Sequence, residues 1–281
     1  MMNHMYDYGY QIKWKDFYVT SRKGYFTSVS DFHKHDFYEI NLIISGNIKI
    51  LLKDKTRHIT QNCIVLTRPG TPHYISCEPD TLYNRLYLLF SNEFISDYVP
   101  EWKKLISVFG KNGKIITITE EQKDFCEGLI THLKTEQNRF RQRMLILYLL
   151  SHISEFADDE PPSSEDIPRF VMDTLSYIEE HYSEKIIASE LAKKFYISRT
   201  TLMTNFKKYT CTTLNKYLTN CRLKNAIRLL NQGKTENEVS EICGFSNSSG
   251  LIRSFKGNFG MTPRQYLLQE KATKKPPAQI I

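Results

Sequence analysis

Long apolar runs are missing from this chain: among its 281 residues the longest is the seven from Met144 to Leu150, against the roughly 20 needed to span a bilayer. The opening MMNHMYDYGY has neither the basic start nor the apolar segment of a secretory signal. Both features point to a cytoplasmic chain with no membrane partner. The six cysteines, Cys63, Cys77, Cys126, Cys211, Cys221 and Cys243, form no C-x-x-C pair. That excludes a zinc ribbon or a redox motif and leaves buried, reduced fillers. G-x-S-x-G, a Ser/His/Asp order and a phosphate-binding glycine loop are all missing as well. Enzymatic chemistry therefore has no home, and no catalytic residue, cofactor or metal is assigned.

Apolar residues make up 41% of the chain and charged residues 25%, ordinary globular usage that excludes disordered and disulfide-scaffold classes. The length favours two domains, and charge divides the chain unevenly. Residues 168–281 hold 18 Lys+Arg against 9 Asp+Glu, a net +9, whereas residues 1–167 hold 20 against 22, a net −2. A cationic excess confined to one half implies a polyanion partner for that half. The step coincides with ADDEPPSSEDI, residues 157–167, an acidic, proline- and serine-bearing segment with little to bury, which reads as a linker. Pro168 just after it suits a first helical turn.

Before the linker, FYEINLIIS, NIKILL, CIVLT and NRLYLLFS read as short strands separated by turn formers such as Ser45-Gly46-Asn47 and Pro69-Gly70. Tyr6, Tyr8 and Tyr10 alternate like a further strand. From about residue 100 the period changes. Trp102, Leu105, Ile106 and Phe109, then Phe125, Cys126, Leu129, Ile130 and Leu133, recur at helical spacing. A last helix over about 136–156 is apolar nearly all round at Met144–Leu150, which fits either full burial in its own domain or one face packed on a second copy.

After the linker the strand signals stop and a repeat begins. Ser198-Arg-Thr-Thr-Leu202-Met-Thr-Asn-Phe206-Lys207 recurs as Asn247-Ser-Ser-Gly-Leu251-Ile-Arg-Ser-Phe255-Lys256, an offset of 49 that continues through Thr213/Thr262 and Tyr217/Tyr266, while upstream the offset is 48. Each copy is one supersecondary unit: a short helix (188–194; 236–243), a tight turn and a second helix opened by a capping residue. Thr235-x-x-Glu238 and Thr262-x-x-Gln265 are capping boxes. A helix from Leu214 to about Leu230 joins the units. Leu202, Phe206, Leu251 and Phe255 must face the core. The opposite faces carry Arg199, Thr200, Met203, Thr204 and Lys207 in the first unit, and Ser248, Ser249, Arg253 and Lys256 in the second. These suit a helix in a DNA major groove, with arginine on a guanine edge, methyls near thymine and lysines on phosphate. Two such readers on one rigid helix would address successive groove segments about one turn apart.

Gly244-Phe245, Arg253-Ser-Phe255-Lys256, Thr262-Pro263 and Tyr266 make residues 168–281 similar to the AraC/XylS family of bacterial transcription regulators. Cys211 stands where that family usually has glycine, Gly250 where a larger residue is common and Gly257 where a basic one is usual. Because glycine costs a helix ~1 kcal/mol relative to alanine, the second reading helix is expected to be the less stable.

In the other half, His33-Lys-His35-Asp-Phe-Tyr-Glu39 followed after six residues by Gly46, and Pro69-Gly70-Thr71-Pro72-His73, resemble the two motifs of cupin barrels. Metal-binding cupins use such side chains for ions like iron or manganese. The sensor domains of AraC-type regulators resemble cupins and often keep the histidines without a metal. His33, His35, Glu39 and His73 thus read as lining an effector pocket, as barrel-mouth structure, or as metal ligands, the first being the assignment adopted.

The expected architecture is α+β. A cupin-like β-barrel with flanking helices (1–156) senses an effector and dimerises, a linker spans 157–167, and an all-α domain of two helix-turn-helix units (168–281) binds double-stranded promoter DNA. The resemblance implies a transcription regulator, commonly an activator, working as a homodimer with a small-molecule effector and with RNA polymerase as partner. The rivals are a cupin metalloenzyme with a DNA-binding appendage and a non-specific architectural DNA binder.

Overall fold

The computed structural model describes residues 17–25, 32–77, 81–96, 102–157 and 165–273. Its first part contains β1 (Phe17–Tyr25), β2 (Tyr38–Leu52), β3 (Lys55–Thr67), β4 (His73–Cys77), β5 (Leu82–Phe90), α1 (Asn92–Ser96), α2 (Trp102–Ile106), β6 (Lys114–Thr117), α3 (Glu120–Thr135) and α4 (Arg139–Phe156). The strands pair antiparallel in the order β1-β5-β2-β3-β6, with β4 added beside β2.

Successive residues of the strands point to opposite faces, and here both faces are covered. Ile40, Leu42, Leu66 and Leu88 pack with Ile130, Leu133, Ile146 and Leu150 of α3 and α4. Their neighbours Ile43, Ile50, Val65, Ile75 and Tyr83 form a second core on the other face. This is why the strand sequences are apolar almost throughout rather than alternating.

The expected turn at Ser45-Gly46-Asn47 is corrected by the structure: those residues lie inside the 15-residue β2. They form a bulge there. Before it β2 pairs with β5, and after it with β4, so the bulge lets one strand serve two neighbours. Gly46 sits at φ +141°, and a Cβ would lie 2.9 Å from the Tyr83 ring. The sheet wraps its inner core without closing, since β1 and β6 end the order unpaired with each other among the described residues. The tyrosines at positions 6, 8 and 10 lie outside the described residues.

The second part is helical: α5 (Arg169–His181), α6 (Ala188–Lys194), α7 (Arg199–Thr210), α8 (Leu214–Asn231), α9 (Glu236–Ile242), α10 (Ser248–Phe259) and α11 (Pro263–Thr273). One core gathers Val171, Leu175, Ile178, Leu202, Phe206 and Tyr217, and a second gathers Leu223, Ile227, Val239, Leu251, Phe255 and Tyr266. Helix α8 contributes to both, and Tyr182 packs against both, so the two units are held on one rod.

The acidic segment between the two parts is less detached than its composition suggests. Its first and last residues, Ala157 and Ile167, are buried. Glu165–Asp166 form a short strand, β7, against β3, and the Ile167 amide donates to the Asp54 carbonyl at 3.0 Å. The edge of β3 offers an unpaired ladder, and two residues of the segment take it.

Candidate functional site

Each expected reading helix forms with its polar cap in place. The Ser198 hydroxyl accepts from the Thr201 amide at 3.0 Å, and the Asn247 side chain accepts from the Gly250 amide at 2.8 Å, satisfying first-turn amides that have no partner within the helix. Leu202, Phe206, Leu251 and Phe255 are buried. On the far sides Arg199, Thr200, Thr204 and Lys207 are exposed on α7, as are Ser249, Arg253 and Lys256 on α10. Met203 and Ser248 are half-buried, and Met203 packs at the rim of the first unit's core. Both expected capping boxes form their bonds, Thr235 with Glu238 and Thr262 with Gln265.

The change of offset from 48 to 49 has a local cause. In the first unit the Tyr196 amide bonds the Lys193 carbonyl and the Ile197 amide that of Ala192; in the second, Gly244 bonds Glu241 and Phe245 bonds Ser240. These four pairs match at 48. The N-caps Ser198 and Asn247 match at 49. The extra residue is Ser246, inserted in the second turn. Tyr196 and Gly244 are the matching left-handed positions, at φ +56° and +73°. Tyrosine is accepted there because its side chain is 96% exposed. Glycine is required at 244, because a Cβ would lie 2.2 Å from the Ser183 carbonyl oxygen. The helix C-caps match in the same way. Cys211 (φ +55°) stands where the second unit has Gly260 (φ +69°), so the cysteine carries a left-handed conformation that glycine adopts freely.

The four residues of the cupin-like motifs converge. One candidate ligand atom from each of His33, His35, Glu39 and His73 lies within 4.8 Å of every other. Strand β2 supplies Glu39, β4 supplies His73, and the segment before β2 supplies the other two. His33 and His73 form an antiparallel bridge through paired backbone bonds of 3.0 and 2.9 Å. His35 Nε2 is 2.6 Å and His73 Nε2 3.2 Å from the same Glu39 oxygen, Oε2. The other oxygen, Oε1, accepts from the Asn41 amide, whose carbonyl oxygen is held by Arg85 at 3.1 Å. Burial pushes the Glu39 carboxyl up, but the charge of His73 and the hydrogen bonds from both histidines outweigh it and hold the group well below the usual carboxylate range. The chain thus keeps a buried anion among three imidazoles.

Residues 19–148 match the model of the AraC-like ligand binding domain, and residues 191–269 match a helix-turn-helix domain model. The chain belongs to the AraC/XylS family. Two curated relatives are matched along most of their length. The HTH-type transcriptional activator RhaR of Mannheimia succiniciproducens is 23% identical, over 88% of this chain and 91% of the relative. The HTH-type transcriptional activator RhaS of Escherichia fergusonii is 25% identical, over 83% and 86%. Among solved structures, an apo variant of ToxT from Vibrio cholerae aligns over 90% of this chain and 97% of its own at 15% identity and a TM-score of 0.40.

Between the sheet and the first reading unit of this AraC-family chain lies a set of contacts that the sequence did not flag. The Phe32 amide donates to the Tyr217 hydroxyl at 2.6 Å, and that hydroxyl donates to Glu179 at 2.8 Å. The Tyr74 hydroxyl donates to the carbonyl of Thr210, the last residue of α7, at 3.1 Å. The rings of Tyr74 and Tyr217 meet edge-on at 5.8 Å. Lys49 on β2 donates to the Lys208 carbonyl, and Glu165 of β7 accepts from Lys208 and from the Tyr209 hydroxyl. Adjacency was the available signal, since Phe32 precedes His33 and Tyr74 follows His73.

Proposed function

We propose that the protein is a sequence-specific transcription activator that reads double-stranded promoter DNA with α7 and α10 under control of a small-molecule effector. The observation that carries this reading is the pair of capped, matching reader helices on the half of the chain with net charge +9. Arg199, Thr200, Met203, Thr204, Ser248, Ser249 and Arg253 face base edges, while Lys207 and Lys256 sit on phosphates. Residues 1–156 form the sensing domain, 157–167 the joining segment and 168–281 the reading domain. His33, His35, Glu39 and His73 hold the effector.

The regulator acts in the cytoplasm as a homodimer, with RNA polymerase as its further partner, and carries out no catalysis. Support for the dimer comes from α4. Its Phe140, Met144 and Tyr148, spaced four apart, are 62%, 47% and 55% exposed. They form an apolar stripe on a helix whose opposite side, with Ile146, Leu150 and Ile153, is buried.

The test is selection of fragmented genomic DNA from the source organism by the full-length protein. A few promoter regions are enriched, with specific sites bound roughly 10³-fold or more tighter than bulk DNA. Arg253→Ala relaxes preference at one position, whereas Lys207→Ala weakens binding to all sequences and flattens the salt dependence. Equal retention of all fragments would overturn the reading.

A further inference from the structure

The first reading helix has its last carbonyls capped from outside. A helix end leaves such carbonyls without a partner of its own, and the sheet meets two of those in α7: Lys49 of β2 donates to the Lys208 carbonyl, and the Tyr74 hydroxyl to that of Thr210. This docking gathers cations. The Lys208 and Lys49 ammonium groups, one from each half of the chain, both act on the carboxylate of Glu165. Its Oε1 accepts from the Lys208 ammonium and from the Tyr209 hydroxyl, the latter at 2.9 Å. The hydrogen bond from Lys208, then that from Tyr209, hold the carboxyl below its ordinary range. Two ammonium groups and a phenol around one anion are also the donors that a DNA backbone phosphate takes.

The place suits a phosphate. Lys208 is exposed and lies one turn beyond Thr204 and two beyond Thr200, exposed positions of the reading face. At the matching position of the second unit, 49 residues on, stands Gly257, so of the two readers only α7 has a cation there. The sensing half is net negative as a whole, but residues 49–55 hold Lys49, Lys53 and Lys55 against Asp54 alone. What keeps Glu165 in place is slight. Strand β7 is two residues long, and the Lys208 and Glu165 side chains are 53% and 54% exposed, a setting in which an ion pair contributes little stability. The carboxylate can turn away while Ile167, buried and bonded to the Asp54 carbonyl, stays anchored.

We propose that Lys208, Tyr209 and Lys49 form a site for one DNA backbone phosphate, shared by the two halves of the chain, and that Glu165 of the joining segment fills it as an internal stand-in until DNA displaces it. The proposal rests on the reading of α7 as a DNA-facing helix. It adds a phosphate contact on the side of α7 nearest the sheet, and it makes the acidic segment a competitor of DNA.

The test is binding of the full-length protein to a short duplex of arbitrary sequence over a range of salt, because a phosphate contact is independent of sequence. Glu165→Gln keeps the shape of the side chain and removes its charge. It should bind severalfold tighter at low salt, with a slope of log affinity against log salt steeper by about 0.9, the value for one phosphate. Its advantage over the parent should thus grow roughly 3.5-fold between about 200 and 50 mM salt. Lys208→Ala added to Glu165→Gln should return the slope to that of the parent. Circular dichroism checks the fold, with Glu165→Ala as the substitute if the glutamine variant is unfolded. An unchanged slope in Glu165→Gln overturns the phosphate site, and so does a gain that survives Lys208→Ala, since either would mean that Glu165 acts only by positioning the two halves. Duplex binding by the parent with no response to Glu165→Gln overturns this site alone. Absence of duplex binding in parent and variant alike overturns the DNA reading of α7 as well.

Discussion

Replacing Gly244 with alanine tests the geometry of the second turn at one atom. Two costs add. The left-handed conformation at φ +73° costs a residue with a Cβ roughly 1–2 kcal/mol. The new methyl would also lie 2.2 Å from the Ser183 carbonyl oxygen and 2.9 Å from its Cα, which are backbone atoms that cannot rotate away. Relief requires moving the α5–α6 connection, whose carbonyls at Tyr182 and Glu184 are held by Arg222 at 2.7 and 2.8 Å. Overpacking of this kind costs about 1–3 kcal/mol, so the variant should lose about 2–5 kcal/mol in all. Native-state hydrogen exchange reports the loss as faster exchange of α9 and α10 amides, with α7 less affected, and urea unfolding reports the total. Gly257→Ala is the control of opposite sign: it lies inside α10 with nothing within 4 Å of a new Cβ and should gain up to about 1 kcal/mol. A Gly244→Ala variant within roughly 0.5 kcal/mol of the parent, the range of ordinary surface changes, would refute the reasoning.

Cys211→Gly should stabilise the first unit by up to about 1 kcal/mol, measured by urea unfolding, because Cys211 holds φ +55° at a C-cap where the second unit uses Gly260. Tyr217→Phe removes a hydroxyl that accepts from Phe32 and donates to Glu179; a loss of about 1–3 kcal/mol and faster exchange at Phe32 are expected in urea and exchange experiments. Burial pushes the Cys63 and Cys126 thiols up to about 12 and Cys243 up to about 11. Iodoacetamide at pH 8 should therefore alkylate the native chain first at half-buried Cys211, reaching the buried thiols only on unfolding, as peptide mass analysis would show. With Gly250 and Gly257 inside it, α10 should show less exchange protection than α7 in the absence of DNA.

The amino-acid sequence by itself determined the helical half nearly completely. Its signals are local: capping residues three positions from their partners, apolar residues at i and i+4, and a repeat whose two copies report on each other. Ser198, Thr235 and Thr262 cap as their spacing implied, and Leu202, Phe206, Leu251 and Phe255 are core because no other face of their helices could be. The cupin-like spacing also marked His33, His35, Glu39 and His73 as a set before any geometry was known.

Tertiary structure decided the rest. Ser45-Gly46-Asn47 is a turn by composition and a bulge in fact, because β5 and β4 compete for one edge of β2. The strand at Lys114–Thr117 exists because β3 offers it a ladder, and four residues carry too little pattern to announce it. The acidic segment gained a strand for the same reason. The convergence of His33, His35, Glu39 and His73 on one point, and the docking of Phe32 and Tyr74 on residues more than 130 positions away, depend on how sheet and helices pack. A one-dimensional pattern holds spacing along the chain, and the distance between His33 and His73, or between Tyr74 and Thr210, is set by the strand pairing and the cores that bring them together.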